Sequence, residues 1–434
     1  MDKMADVLGR AGAWCGQNKY LSAIKNAFQN FMPLTIAGAI GVLWCNVLVN
    51  ETTGLGMFFK PIMALDFLNP AFQAVNFCTI SCITVGITLG IAQEIGVWNM
   101  GAERAGYIPG LVGLAAWLSV TNTSHMVDGA KEAFTGVAGN ELGATGLFTG
   151  MIIGVLSVEL FCFFEKQDAL KIKMPEQVPP GVARAFEVLV PATITLIITA
   201  CIGSACYNLT GLYLNDVIKN GIQGPLGAVG ATIPGVMIIY LVIMLFWLVG
   251  IHGNNMLSAV KEALFTPLAL ENVEKFNKGE KPTNIINMYA LQMWGEFGGS
   301  GVTIGLVIAI MIFGKREDNK AIATLSLVPG LFNINETVTF GIPMVLNPIL
   351  GIPFVVAPLV TIIIGYVLTV IGFCPVACLT VPWTTPPIVF GFLACGANVM
   401  GAVTQAILIV VSTVIYVPFL ISYEKYQNKQ AAEA

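Results

Sequence analysis

Long apolar runs alternate with short polar clusters along this chain. Six runs, near residues 31–50, 71–93, 107–120, 143–164, 186–207 and 231–250, approach the length of roughly 20 residues that a membrane-spanning helix requires. The third is the shortest. Two further runs stand near 349–373 and 400–421. After residue 250 the pattern loses its regularity. The stretch 286–313, INMYALQMWGEFGGSGVTIGLVIAIMIF, reads as one interrupted helix, and 374–401, CPVACLTVPWTTPPIVFGFLACGANVMG, has the same character. Broken backbone at membrane depth survives only where protein buries it or where it lines a water-filled cavity. Transporters place substrate sites on such segments. The pattern predicts an all-α polytopic membrane protein with about 8–10 transmembrane helices plus re-entrant or broken hairpins.

At the N-terminus Met4, Val7, Leu8, Ala11, Trp14 and Cys15 recur at helical spacing, with Asp2, Lys3, Asp6 and Arg10 on the other face. That predicts an amphipathic interfacial helix over 1–30 rather than a cleavable signal, which would show an uninterrupted apolar run. The chain then divides into a scaffold half with five regular spans (31–207), a connector (208–230), a substrate half with the irregular segments (231–423) and a tail expected to fray (424–434).

Composition agrees with a membrane setting. The chain of 434 residues is 56% hydrophobic and 11% charged, against roughly 25% charged in soluble domains. A net charge of -4, without a basic cluster interleaved with aromatics, gives no reason to expect nucleic-acid binding. Most of the ten Cys sit in apolar runs and read as small hydrophobes. Cys374 and Cys378 are spaced CxxxC but have no second pair and no neighbouring His, so no metal is expected. Lys3, Arg10, Lys19 and Lys25 precede the first span, Lys166, Lys171, Lys173 and Arg184 follow the fourth, and Lys425 and Lys429 follow the last. The positive-inside rule places both termini and the 165–185 loop in the cytoplasm. It asks the same of Lys261, Lys275, Lys278 and Lys281, and of Lys315, Arg316 and Lys320. Only a broken or re-entrant segment between those groups reconciles them.

Glu336 is the strongest chemical candidate. It lies in LFNINETVTFGIPMVLNP (331–348), flanked by Asn333 and Asn335. An ionisable group at that depth is costly and usually marks a substrate path. His252, in LVGIHGNNMLSAV, lies between glycines and before Asn254 and Asn255; it suits either a polar cavity or a helix cap. Gln292, Trp294 and Glu296 in LQMWGEFGGSG, with Trp383 and Thr384 in VPWTTPP, add rings and hydrogen-bonding groups. Such a set suits a sugar, which has apolar C–H faces and hydroxyls that both donate and accept. For each Trp alone, anchoring at the membrane interface is an equal reading. GGSG at 298–301 is too short for a phosphate-binding loop, and no nucleotide site is expected.

GIHGNN at 250–255, FNINE at 332–336 followed by FGIPMVLNP, and the VPP…F stretch at 178–186 resemble the membrane IIC subunits of the bacterial phosphotransferase system, lactose/cellobiose branch. The resemblance extends over essentially the whole chain. One departure is Thr337, which follows Glu336 where the family usually has Pro. The resemblance implies a homodimeric permease of the bacterial cytoplasmic membrane with cytoplasmic termini. It implies that the first half forms the dimer interface and that the second binds a disaccharide. It further implies a phosphocysteine donor on a separate IIB subunit, recharged through IIA, HPr and enzyme I, with no cofactor in this chain. Glu336 and His252 take the places of the family's critical acid and histidine. The competing classes are a proton-coupled sugar transporter with Glu336 as proton carrier, and a membrane sensor that binds sugar without moving it.

Overall fold

The computed structural model describes residues 17–51, 55–125, 134–175, 177–225 and 230–433, together with Arg10 and Trp14. Of the amphipathic helix expected over 1–30, the part before residue 17 lies outside the described residues apart from Arg10 and Trp14, and the part from Lys19 onward instead opens a candidate span, Lys19–Leu48. The chain forms two compact units, one of Gln17–Gly38 with Ala74–Ala228, the other of Met1–Gly16, Ala39–Gln73 and Val229–Ala434.

The first unit is a bundle of unbroken helices. It contains most of α1 (Lys19–Leu43), α2 (Ile83–Met100), α3 (Ile108–Val120), α4 (Ala144–Glu165) and α5 (Pro180–Thr210). Its centre is Trp117, packed with Ala116, Val120 and Ile153. Small residues bring backbones together, as membrane helices require in place of a hydrophobic driving force. A side chain at Gly150 on α4 would collide with the Thr88 hydroxyl on α2. Several hydroxyls here bond their own helix: Thr195 Oγ1 donates to the Pro191 carbonyl and Thr199 Oγ1 to that of Thr195, each at 2.8 Å. Ser157 does the same toward Ile153 at 2.6 Å. At the end of α4, buried Glu165 accepts from Arg104 Nε and Arg184 Nη1, both at 2.8 Å.

The second unit holds α6 (Ile233–Leu248), α7 (Ser258–Asn277), α8 (Met288–Gly295), α9 (Ile304–Phe313), α10 (Glu317–Leu331), α11 (Glu336–Gly341), α12 (Gly351–Val370), α13 (Val389–Ala394) and α14 (Val399–Glu433). The interruption expected within 286–313 is present: the segments Met288–Val302 and Ile304–Phe313 meet at a 59° bend. The second irregular stretch stays non-helical from 371 to 388 before the six-residue α13.

Among the described residues six helices are long and apolar enough to cross a membrane, seven with the bent pair counted as one span, and α3 and α6 are shorter apolar helices beside them. The fold is therefore all-α and polytopic. The tail departs from its expected fraying, because α14 continues to Glu433. Glu424 contributes to this, with Gln427 and Asn428 beyond it. It is buried on α14 and accepts from the backbone N–H of Lys315 at 2.9 Å and from Asn319 Nδ2 at 3.1 Å, so the last turns are tied to the start of α10.

Candidate functional site

The turn after α6 is shaped by its glycines. A Cβ at Gly253 would strike the Ile243 carbonyl, so only glycine lets the chain fold back onto α6 there. His252 caps the one-turn helix Gly253–Met256, its Nδ1 accepting from the Asn255 backbone N–H at 3.2 Å. That bond assigns the tautomer. With Nδ1 as acceptor, the neutral ring carries its proton on Nε2. Trp247 lies against the ring, centroids 4.4 Å apart, and holds its plane. The free Nε2 stands 3.8 Å from Glu336 Oε1.

Glu336 opens α11 immediately after a sharp turn. Asn333 has φ +63°, a left-handed conformation that Asn tolerates better than most side chains. The Glu336 side chain is 47% exposed, and among the described residues His252 is its only polar side-chain partner. Thr337 stands in the first turn of α11. Backbone N–H groups there lack an intrahelical acceptor, so Thr fits the position, as would the Pro expected there from the resemblance.

The two neighbouring asparagines brace the backbone. Asn333 Oδ1 accepts from Gly298 N at 2.6 Å, while its Nδ2 donates to the carbonyls of Trp383 at 2.5 Å and Thr385 at 3.1 Å. Asn335, 3% exposed, donates to the Ser300 carbonyl at 2.8 Å and to Thr339 Oγ1 at 3.2 Å. Gly299 has φ +87°, and a Cβ there would sit 2.7 Å from Asn335 Cβ. The GGSG loop is thus the surface onto which the FNINE segment is fastened.

The other predicted residues divide by environment. Asn254 is held on both sides, its Nδ2 donating to Ser300 Oγ at 2.9 Å and its Oδ1 accepting from Lys261 Nζ at 3.1 Å. Asn255 is exposed. Glu296 forms an ion pair with Lys261 and accepts from Tyr240 Oη at 2.6 Å. Trp294 is 1% exposed, with Gly365 against its ring, so it packs in the core. Its Nε1 and the Gln292 Oε1 are buried without a hydrogen-bond partner among the described residues. Trp383 is 45% exposed and Thr384 half-buried, both in the loop that Asn333 ties down.

Lys261 departs from the charge pattern. It is 5% exposed and ion-paired, so it does not belong with the loop lysines. Its role is unreadable in sequence because its partner lies 35 residues away. Gln405 is also missed. From α14 its Oε1 accepts the backbone N–H groups of Ile388 at 2.7 Å and Gly391 at 2.8 Å, and its Nε2 reaches the Met293 carbonyl at 3.2 Å. No cluster of three or more metal-binding side chains occurs among the described residues.

Apolar spans together with a broken, cross-braced polar segment define a membrane permease. The family profile described as "Phosphotransferase system, EIIC" matches residues 25–358. The chain is 32% identical to the oligo-beta-mannoside-specific EIIC component of Bacillus subtilis (strain 168), over 98% of this chain and 94% of that protein. It is 30% identical to the cellobiose-specific EIIC component of Lactococcus lactis subsp. lactis (strain IL1403), over 98% of each. The crystal structure of the transporter ChbC, the IIC component from the N,N'-diacetylchitobiose-specific phosphotransferase system, superposes with a TM-score of 0.88 at 30% identity, covering 97% of both chains. This chain belongs to the EIIC family of the phosphotransferase system.

Proposed function

We propose that this chain carries a β-linked disaccharide, cellobiose or a close relative, across the bacterial cytoplasmic membrane and presents its C6 hydroxyl to a phosphocysteine on a separate IIB subunit. One observation carries the reading. His252 Nε2–H and the Glu336 carboxylate face each other 3.8 Å apart, too far to bond each other but well placed to hold one hydroxyl between them. A hydroxyl accepts from the first and donates to the second. As the C6 oxygen forms its bond to phosphorus and the S–P bond breaks, Glu336 takes the hydroxyl proton and the cysteine leaves as thiolate. Positioning of this kind supplies most of the catalysis in phosphoryl transfer. His252 keeps its proton throughout and orients the oxygen.

The other predicted site residues take graded parts. Trp383 offers an exposed ring face to the sugar, with Thr384, Asn255 and Gln292 as further hydrogen-bonding groups. Asn254, Asn333 and Asn335 shape the pocket wall, while Trp294 and Glu296 support it. The named sugars of the mannoside- and cellobiose-specific relatives support the β-linked substrate. The product bears about two negative charges and cannot return through an apolar path. The phosphate chain upstream is IIA, HPr and enzyme I, and the protein works as a homodimer with cytoplasmic termini. Uptake into vesicles tests this. Sugar should accumulate as its phosphate ester only when phosphorylated IIB is inside. Accumulation of free sugar driven by a pH gradient alone would instead establish a proton-coupled transporter with Glu336 as carrier.

A further inference from the structure

The buried cluster behind the site has no part in the chemistry described so far. Lys261 Nζ bonds Asn254 Oδ1 at 3.1 Å and pairs with Glu296 Oε1, an oxygen that also accepts from Tyr240 Oη at 2.6 Å. Stability alone gives little reason for a lysine there, because desolvation offsets the attraction within a buried ion pair and apolar replacements are often neutral or better. Its geometry gives another reason. The ammonium compels the Asn254 amide to turn its oxygen inward, so Asn254 Nδ2 must point to Ser300 Oγ, 2.9 Å away. The Ser300 carbonyl in turn accepts from Asn335 Nδ2 at 2.8 Å. Asn254 lies two residues from His252, and Asn335 is joined directly to Glu336. One continuous strut therefore runs from His252 through Asn254, Ser300 and Asn335 to Glu336.

We propose that Lys261 is a positioning residue for phosphoryl transfer, fixing through Asn254 and Ser300 the spacing between His252 and Glu336; this rests on the function proposed above. Lys261 touches neither reacting group. It sets the polarity of the one amide that joins the His252 turn to the loop holding Asn335. Misplacement of reacting groups by about 1 Å costs on the order of 100-fold in rate, whereas sugar binding is spread over many contacts and tolerates the same shift. The signature is a slow reaction on a sugar that still binds.

Two variants of the full-length protein in proteoliposomes read this out, with cellobiose as the sugar and phosphorylated IIB as donor. Lys261→Met with Glu296→Gln removes both charges together, so that neither is left buried alone. Ser300→Ala cuts the strut and leaves the ion pair intact. The double variant should phosphorylate cellobiose about 10- to 100-fold more slowly, and Ser300→Ala should be slowed in the same direction. Calorimetric affinity should stay within about threefold of wild type in both, since the direct sugar contacts are untouched. A double variant as fast as wild type overturns the inference. So does an affinity that falls in proportion to the rate, which would make Glu296 a sugar contact. If the double variant does not fold, Ser300→Ala decides alone, and a wild-type rate in it overturns the strut. A wild-type protein that binds cellobiose but receives no phosphoryl group from IIB overturns the proposed function and this inference with it.

Discussion

The two units differ in what their buried side-chain amides do. Hydroxyls in both fold back onto their own helix, as Thr195, Thr199 and Ser157 do in the unbroken bundle and Thr361 and Thr369 do in the second unit. Their backbones are already paired, and the side chain has only itself to satisfy. In the second unit, amides reach far along the chain. Asn333 spans to Gly298 and Thr385, Asn335 to Ser300, and Gln405 to Ile388, Gly391 and Met293. A broken helix leaves N–H and C=O groups that have no water to pair with. Asn and Gln supply a donor and an acceptor at once. Most of the polar excess in the irregular unit is thus framework. Once the braces are set aside, Glu336, the Nε2 face of His252 and the unpartnered Gln292 Oε1 are among the groups with bonding capacity left to offer a ligand.

The largest expected effect follows from that distinction. Glu336→Gln removes a group that braces nothing, so folding should not change. The amide cannot accept the hydroxyl proton, and loss of a general base costs about 10²- to 10⁴-fold. The expected result is an unaltered thermal transition, sugar binding still visible by calorimetry, and phosphorylation from IIB reduced by that factor. Wild-type phosphorylation in this variant would refute the role of base.

A brace should behave in the reverse way. Gln405→Leu strands the N–H groups of Ile388 and Gly391 and the Met293 carbonyl, all paired through one side chain. A buried group left unpaired costs about 1–3 kcal/mol, so a clear fall in unfolding temperature is expected in detergent. An unchanged transition would show that these segments need no side-chain brace.

This contrast also marks what the sequence could disclose. The spans of the bundle and the break within 286–313 are legible, and His252 and Glu336 stand out as polar groups, because each is a local pattern of hydropathy, glycine or charge; that the two face each other at 3.8 Å is not. The FNINE asparagines are visible as polar residues, but their bonds are not. Asn333 meets a loop 35 residues behind it and another 50 ahead, and no periodicity encodes such a meeting. Lys261 shows the same limit. Its charge is plain, yet counting it among loop lysines misplaces it, since burial depends on Glu296 arriving from a different helix. The tail is a similar case. Its polar composition suggests fraying, but the helix continues, with Glu424, Gln427 and Asn428 accepting from residues at and just before the start of α10.

His252→Ala is expected to have an intermediate effect. The imidazole accepts one backbone N–H and offers Nε2 outward. Losing one hydrogen bond to the sugar costs about 1–1.5 kcal/mol, roughly tenfold in affinity. Calorimetry on cellobiose should show this, and unchanged affinity would assign the histidine to capping its turn and nothing more.

The smallest effect tests the bundle side of the comparison. Thr199 is buried on α5, and its hydroxyl donates to the Thr195 carbonyl at 2.8 Å. Within the helix that carbonyl already accepts from the N–H of residue 199, so removing the hydroxyl leaves no group unpaired. Val keeps the branched shape, and back-bonded hydroxyls slightly disfavour a straight helix in any case. Thr199→Val should therefore change stability by less than an unpaired buried group costs, about 1–3 kcal/mol. Measured beside Gln405→Leu in the same detergent, it isolates one variable, whether the lost polar group was holding someone else's backbone. If both variants lose stability equally, burial of any polar side chain would be what matters, and the division between self-satisfied and bracing residues would fall.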